Sequence, residues 1–180
     1  MLKKTALLSL LLALSFNAAA ASRDIKEYNL GVDAYRAKNY TEARRHWNKA
    51  VDQGVRDAYN NLGFLLYNGF GGDQDTVRAV ALWRDAAMLG NAESQWHLAS
   101  AYEEGKGTVR NQIEAYAWYE CAQAAYRAES GGKQEASEIT RDIDVAMPRV
   151  LEAIPEERRR LAKRLAGIYI RLYTTNQAKD

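Results

Sequence analysis

Residues 54–63 read GVRDAYNNLG, and residues 90–99 read GNAESQWHLA, which repeats the same pattern 36 positions later. Each copy continues into a Gly-x-Gly element, at residues 69–71 and 105–107. Each then ends in a segment where an aromatic residue precedes small alanines. A fixed period of this size is typical of solenoids, in which each unit covers the apolar face of its neighbour. The repeat therefore predicts the architecture of the chain.

Apolar and small residues recur at helical spacing between glycine-containing breaks, so the chain is predicted to be helical throughout the repeats. The predicted helix pairs lie at 24–37 and 40–53, at 56–68 and 75–88, and at 91–104 and 111–127. A longer helix is predicted from about 134, interrupted near Pro148, and a last helix over about 155–173. We expect Gly31, Gly63 and Ala99 to let paired helices approach closely. We expect Trp47, Trp83 and Trp118 to fill the space between successive pairs.

Residues 54–122 resemble two Sel1-like repeats, a branch of the tetratricopeptide superfamily. The resemblance rests on Ala-x-x-x-Leu-Gly, Gly-x-Gly, Asp-x-x-Arg-Ala and a closing aromatic–Ala-Ala–Gly pattern. Residues 24–53 resemble a plain, shorter tetratricopeptide unit. The departures are Leu66 for the usual Tyr, Ala99 for Gly, Asn111 for Asp, and Tyr126 in place of the closing Gly.

The resemblance implies an all-α, right-handed α/α superhelical solenoid of about three helix pairs over residues 24–126. Capping helices and a short tail are expected over residues 127–180. Repeats of this family form scaffolds for protein–protein contacts, and many members are exported bacterial adaptors. The chain has a single cysteine, Cys121. It therefore lacks the signature of the cysteine-rich relatives that have been associated with penicillin binding.

The first 21 residues have the features of a signal peptide. Lys3 and Lys4 precede an apolar run over residues 6–16, and small residues follow up to Ala21. We expect cleavage near Ala21 and a periplasmic or secreted product. The apolar run is too short to span a bilayer, so no stable membrane insertion is expected. Removing the leader takes away two lysines and lowers the net charge of the chain from +2 to 0. The charge of the remaining chain therefore gives no indication of a nucleic-acid partner.

No motif in the sequence indicates catalysis, a metal site or a cofactor. The Gly-x-Gly elements follow no strand and lack a Lys-Ser/Thr pair, so they are interpreted as turn glycines. His46 and His97 are the only histidines and belong to no ligand cluster. Cys121 is interpreted as a buried, inert thiol, with a reactive or intermolecular thiol as the alternative. The chain is therefore predicted not to be an enzyme.

The inner helices carry the predicted binding surface. The register set by Leu30, Leu62 and Leu98 directs aromatic, amide and charged side chains to the concave face, which suits a groove for an extended or helical peptide. The predicted partner-binding residues are Tyr28, Tyr35, Arg36, Asn60, Phe64, Tyr67, Asn68, Trp96, Ser100 and Glu103, with Glu104 beside them. For Tyr28, Phe64 and Trp96, packing between repeats is the alternative. Asn60 and Asn68 are predicted to bind the partner rather than to pack between repeats, because an amide contributes little to such packing.

The last predicted helix carries an apolar stripe backed by arginines. Leu161, Leu165, Ile168 and Leu172 recur at helical spacing and are predicted to cap the open end of the solenoid. The alternative is a basic helix lying on an anionic membrane.

These features predict an exported, non-enzymatic scaffold or regulator that binds a protein partner on its concave face. The alternative is a cell-wall (peptidoglycan)-binding or hydrolase-related envelope protein, because exposed aromatic residues can stack on sugars.

Overall fold

A computed structural model describes residues 25–130 and 137–174. The predicted signal peptide and its cleavage point lie outside the described residues. The helices are α1 (25–36), α2 (Tyr40–Asp52), α3 (Arg56–Asn68), α4 (Thr76–Met88), α5 (Ala92–Glu104), α6 (Gln112–Glu129), α7 (Glu138–Glu152) and α8 (Glu156–Tyr173). None of the described residues lies in a strand.

Successive helices pack against one another from α2 to α6, and α6 then contacts both α7 and α8. This sequential packing is the arrangement expected of an α/α solenoid, and it confirms the predicted all-α fold class. The core forms two connected regions, one under α2, α3 and α4 and one from α4 to α8. Among the described residues, no helix has the length and hydropathy that crossing a bilayer requires.

Each second helix of the three repeat units begins at a side chain that caps it. Asn39 accepts a hydrogen bond from the backbone N–H of Glu42, and Asp75 accepts one from Arg78 at 3.0 Å. In the third unit Asn111 accepts from two backbone N–H groups of the first turn. Asn111 stands where the repeat pattern has aspartate. Because asparagine and aspartate are about equally good N-caps, this substitution preserves the cap.

The Gly-x-Gly elements are turns, as predicted. The first glycine of each, Gly69 with φ 72° and Gly105 with φ 74°, ends a helix in the left-handed conformation. The second, Gly71 or Gly107, lies against the backbone at the start of the preceding pair's second helix, where a Cβ would collide. The element thus ends one helix and lets the loop contact the neighbouring repeat.

Trp47 and Trp83 make a contact inside their own helix pair that was not predicted. Trp47 and Trp83 lie on Gly31 and Gly63 of their own helix pair, in space that a Cβ would occupy. The Trp83 indole donates a hydrogen bond at 3.3 Å to the carbonyl of Asn60, which lies one turn before Gly63. A glycine–indole contact therefore joins the helices of the first two pairs. Trp83 also stacks on His97 of the next pair, with 4.4 Å between ring centroids, so it fills the space between successive pairs as predicted.

Trp118 also fills space towards the next helices as predicted. In its unit the small position is Ala99, and the Trp118 ring lies 4.5 Å from Tyr169 and 5.4 Å from Tyr173 of α8. Because Ala99 replaces the glycine, the indole of Trp118 does not make the glycine–indole contact and packs at the end of the solenoid.

Helix α7 runs without interruption through Pro148, which corrects the predicted break. Proline lacks an N–H, so the carbonyl of Asp144 loses its bond from four residues later. Asp144 is exposed, so water can satisfy this carbonyl, and the helix continues to Glu152.

Helix α8 covers the end of the solenoid with a different face from the predicted one. Its packed side is formed by Ala162 and Ala166, which are buried, together with Tyr169 and Tyr173. The Tyr169 hydroxyl also donates to Glu114 of α6 at 3.0 Å. Three of the four stripe residues stay in solvent: Leu161 and Leu172 are 51% exposed and Ile168 is 41% exposed.

Candidate functional site: the inner groove

Two neighbouring cavities lie along α3, α5 and α7. The smaller, of about 140 Å³, is lined by Phe64, Tyr67, Asn68, Trp83, His97 and Ser100. The larger, of about 580 Å³, is lined by Trp96, Ser100, Glu103, Glu104, Arg110, Tyr119, Asp142, Val145, Ala146 and Arg149. Both cavities include Ser100, so we treat them as one surface, the inner groove.

Tyr67 is held in the smaller cavity by three contacts. Its ring lies 4.8 Å from the Trp83 ring, and Lys106 Nζ lies 4.1 Å from the Tyr67 ring centroid. Its hydroxyl donates to Glu104 Oε2 at 3.1 Å. Burial, followed by the Glu104 charge, raises the pKa of the Tyr67 phenol well above its usual value. The phenol therefore stays protonated at neutral pH and keeps donating to Glu104.

His97 forms a neutral aromatic wall of the same cavity. Its ring stacks on Trp83 with 4.4 Å between centroids and 15° between planes, and Trp96 lies 4.6 Å away. Burial lowers the pKa of His97 to about 4, because the imidazolium would lose its hydration there. Within the described part of the chain, its Nε2 makes no hydrogen bond, and the nearest carboxylate oxygen recorded for it is Glu93 Oε1 at 3.8 Å. At neutral pH the ring therefore packs as an uncharged aromatic.

Glu103 ties together the three helices around the larger cavity. Its Oε1 accepts from Arg149 of α7, at 2.8 Å from Nε and 2.6 Å from Nη2. Its Oε2 accepts from the Tyr119 hydroxyl of α6 at 2.9 Å. A charged pair with two donors from one guanidinium fixes the orientation of both side chains. This bridge positions α7 along the groove.

Six of the ten residues predicted to bind a partner line the inner groove: Phe64, Tyr67, Asn68, Trp96, Ser100 and Glu103. Tyr28, Tyr35 and Arg36 lie on α1, outside both cavities. Tyr28 is half-buried against the core of the first units, and Tyr35 packs 5.5 Å from Tyr40. Arg36 is exposed.

Asn60 does not lie on an open surface, which corrects the prediction that its amide is presented to a partner. The residue is 5% exposed, and its Oδ1 accepts from the Ser94 hydroxyl at 2.8 Å. The bond links α3 to α5, so the amide satisfies a buried hydroxyl between repeats. Its role in this structure is to join two units.

Sequence reasoning missed the contribution of α7 to the groove. Asp142, Val145, Ala146 and Arg149 all line the larger cavity. They follow the i, i+3, i+4, i+7 spacing of one helix face. This spacing is visible in the sequence, but nothing local indicates that the face it defines lies beside α3 and α5.

The described residues offer little for metal binding or thiol chemistry. No group of three or more His, Cys, Asp or Glu side chains within 25–130 and 137–174 is arranged to hold a metal ion. Cys121 is buried in α6, and burial raises the pKa of its thiol to about 12. A thiol with so little thiolate at neutral pH is a poor nucleophile.

Comparison with known proteins gives one family and a shared fold. The family model described as Sel1 repeat matches residues 27–55, 56–91 and 92–122, so the shorter first unit also conforms to it. No curated protein matches the chain.

The similar solved structures include two repeat proteins. One is c5321, a protective antigen present in uropathogenic Escherichia coli strains and displaying an SLR fold, with a TM-score of 0.72 and 23% identity. The other is a Sel1 repeat protein from Oxalobacter formigenes, with a TM-score of 0.50 and 25% identity. The matches cover 85% and 73% of this chain, but only 31% and 57% of those chains. The chain thus spans less than two thirds of either relative.

Proposed function

The chain belongs to the Sel1 repeat family, whose repeats generally mediate protein interactions, and from this premise we propose that it is an exported, non-enzymatic scaffold that binds a segment of a partner protein in the inner groove. The observation that carries the proposal is the groove itself. Its lining combines aromatic rings of α3 and α5 with polar side chains of α3, α5 and α7.

The composition of the groove matches that of protein interfaces. Tyrosine and tryptophan are enriched at interface centres because they bury large areas at little cost in side-chain entropy. Tyr67 and Trp96 lie at the two cavities, and both are partly accessible rather than sealed in the core. Their rings therefore offer surface that a partner can cover.

The groove carries charges of both signs beside apolar area. Within the described residues, the carboxylates of Glu104 and Asp142 form no ion pair, whereas Glu103 is neutralised by Arg149. Arg110 in the lining and Lys106 over the Tyr67 ring are the cations that balance them. This mixture of charges, with the exposed Val145 beside it, suits a partner segment that combines polar or charged side chains with an apolar one.

Export is supported by the leader-like segment before Ser22. Mass spectrometry of the protein isolated from its native cell envelope tests this part of the proposal. A first residue at or near Ser22 is expected. An intact Met1 terminus would contradict export by cleavage.

The groove assignment is tested by two matched substitutions. Val145 and Val77 are both 69% exposed, but Val145 lines the groove and Val77, on α4, lines neither cavity. Val145→Arg places a long cation in the groove, and Val77→Arg makes the same change elsewhere. Neither side chain is in the core, so both variants should melt within a few degrees of the wild type.

The readout is quantitative recovery of partners from envelope extract by the wild type and both variants. We expect at least one protein to be recovered equally by wild type and Val77→Arg and about tenfold less by Val145→Arg, which corresponds to about 1.4 kcal/mol of binding free energy. Equal recovery of every protein by all three would reject the groove. Recovery of peptidoglycan without any protein would instead favour the cell-wall alternative.

A further inference from the structure

Helix α8 has two apolar faces, one of them buried and the other exposed. At 100° per residue, the packed residues Tyr169, Ala162, Tyr173 and Ala166 span an arc of about 60°. Ile168, Leu161 and Leu172 span a second arc of about 40°, centred roughly 110° away. These three side chains are 41–51% exposed. From Leu161 to Leu172 the exposed stripe runs about 16 Å along the helix.

A basic arc lies directly beside the exposed stripe. Arg164, Arg171 and Arg160 lie about 40–80° beyond Ile168 around the helix surface, and all three are exposed. Arg160, Lys163 and Arg164 form no ion pair with a described residue. The two carboxylates of the helix, Glu156 and Glu157, are confined to its first turn. The stripe therefore borders a row of cations along most of its length.

Positive charge is concentrated on this helix rather than spread over the chain. Helix α8 carries six cationic side chains against two carboxylates, a net charge of +4, whereas the whole chain has +2. The remaining residues therefore carry a net charge of −2. A basic arc with an apolar edge on an otherwise acidic molecule gives the protein one face suited to an anionic, partly apolar surface.

We propose that the exposed side of α8, formed by Leu161, Ile168, Leu172 and the adjacent cations, docks on an anionic phospholipid membrane surface. The three apolar side chains enter the boundary between headgroups and acyl chains, and the arginines contact lipid phosphates. The cap and the membrane interpretation of α8 are thus compatible, because they use different faces. The inner groove lies elsewhere and remains free to hold a partner at the membrane.

The test is vesicle co-sedimentation with the chain beginning at Ser22, so that the leader cannot contribute. The probes are phosphatidylcholine vesicles with and without about one third phosphatidylglycerol. We expect the protein to bind the anionic vesicles only. Binding should be lost at high salt, because the Debye length falls to a few ångströms and the attraction between the helix cations and the lipid phosphates is screened.

Two triple variants separate the charge from the apolar stripe. Arg160→Gln, Arg164→Gln and Arg171→Gln should weaken binding about fivefold each, or roughly a hundredfold together. Leu161→Ser, Ile168→Ser and Leu172→Ser should weaken it by at least tenfold, since the apolar insertion is lost. All six side chains are exposed or at the surface, so circular dichroism should show unchanged helix content.

The matched control removes three cations from another part of the chain, with Lys26→Gln, Lys38→Gln and Lys49→Gln. It should bind anionic vesicles like the wild type. Equal binding by the control and the α8 charge variant would overturn the proposal, as would undiminished binding after removal of the apolar stripe. Failure of the wild type to bind either vesicle would also overturn it. So would lipid-free self-association that the serine variant abolishes, because the stripe would then cover a second copy.

Discussion

Replacement of Gly63 by alanine perturbs the glycine–indole contact that joins the helices of the second unit. A Cβ at this position would stand 2.6 Å from Nε1 and 2.8 Å from Cδ1 of Trp83. Non-bonded carbon atoms are comfortable at about 3.5 Å or more, so the indole must move by roughly 1 Å. Trp83 is 2% exposed and stacks on His97, which leaves it little room to move.

The magnitude follows from three opposing effects. Alanine normally stabilises a helix interior by about 1 kcal/mol relative to glycine. Overpacking a rigid core costs about 1–3 kcal/mol, and loss of the Trp83 hydrogen bond to Asn60 costs about 1 kcal/mol. We therefore expect Gly63→Ala to lower the free energy of unfolding by about 1–3 kcal/mol.

Urea unfolding followed by circular dichroism measures this change, and Gly167→Ala is the matched control. Gly167 is also inside a helix, but its Cβ would meet only Nη1 of Arg171, at 3.6 Å. It should stabilise the protein by up to about 1 kcal/mol. Opposite signs for the two substitutions are expected. If Gly63→Ala were as stabilising as Gly167→Ala, the contact would not constrain the pair.

Three further measurements test other parts of the structure. Because burial lowers the pKa of His97 to about 4 from its usual 6.5, the unfolded chain binds a proton between these values that the native chain does not. Stability should therefore fall as the pH falls from 6.5 to 4, by up to about 3 kcal/mol, and urea titrations across this window should show a shallower fall for His97→Phe. Cys121 should resist a thiol reagent in the native protein at pH 8 and react fully in denaturant; rapid native labelling would contradict its burial. Asn60→Ala should lower the free energy of unfolding by about 1–3 kcal/mol, because it leaves the buried Ser94 hydroxyl without its acceptor, and a fully stable variant would show that this bond is dispensable.

The repeats were readable from the sequence because their pattern is local. Gly69 and Gly105 mark left-handed helix ends, and Asp75 and Asn111 mark helix starts. These features depend on a few neighbouring residues, so one sequence contains the information. The helix bounds and half of the groove followed from them.

Contacts between distant residues were harder to infer. Asn60 has the polarity of a surface residue, and only its partner Ser94, 34 positions later, makes it part of the interior. A single sequence does not show that pairing. A polar residue was therefore assigned to the surface although a buried hydrogen bond accounts for it.

Helix α8 shows a second limit of periodicity. Its residues form two apolar arcs, and hydrophobicity alone favours the one with Leu161, Ile168 and Leu172. The structure packs the side with Ala162 and Ala166 because small side chains permit close approach to α6. Size, rather than apolar character, decides which face is buried here.

Site-specific photo-crosslinking tests the central claim, that the inner groove is the interaction face, most directly. A photoreactive residue replaces Val145 in one protein and Val77 in another, and both are irradiated in the intact envelope. We expect a discrete crosslinked partner from position 145 that is absent from position 77. No adduct from position 145, or the same adducts from both positions, would contradict it.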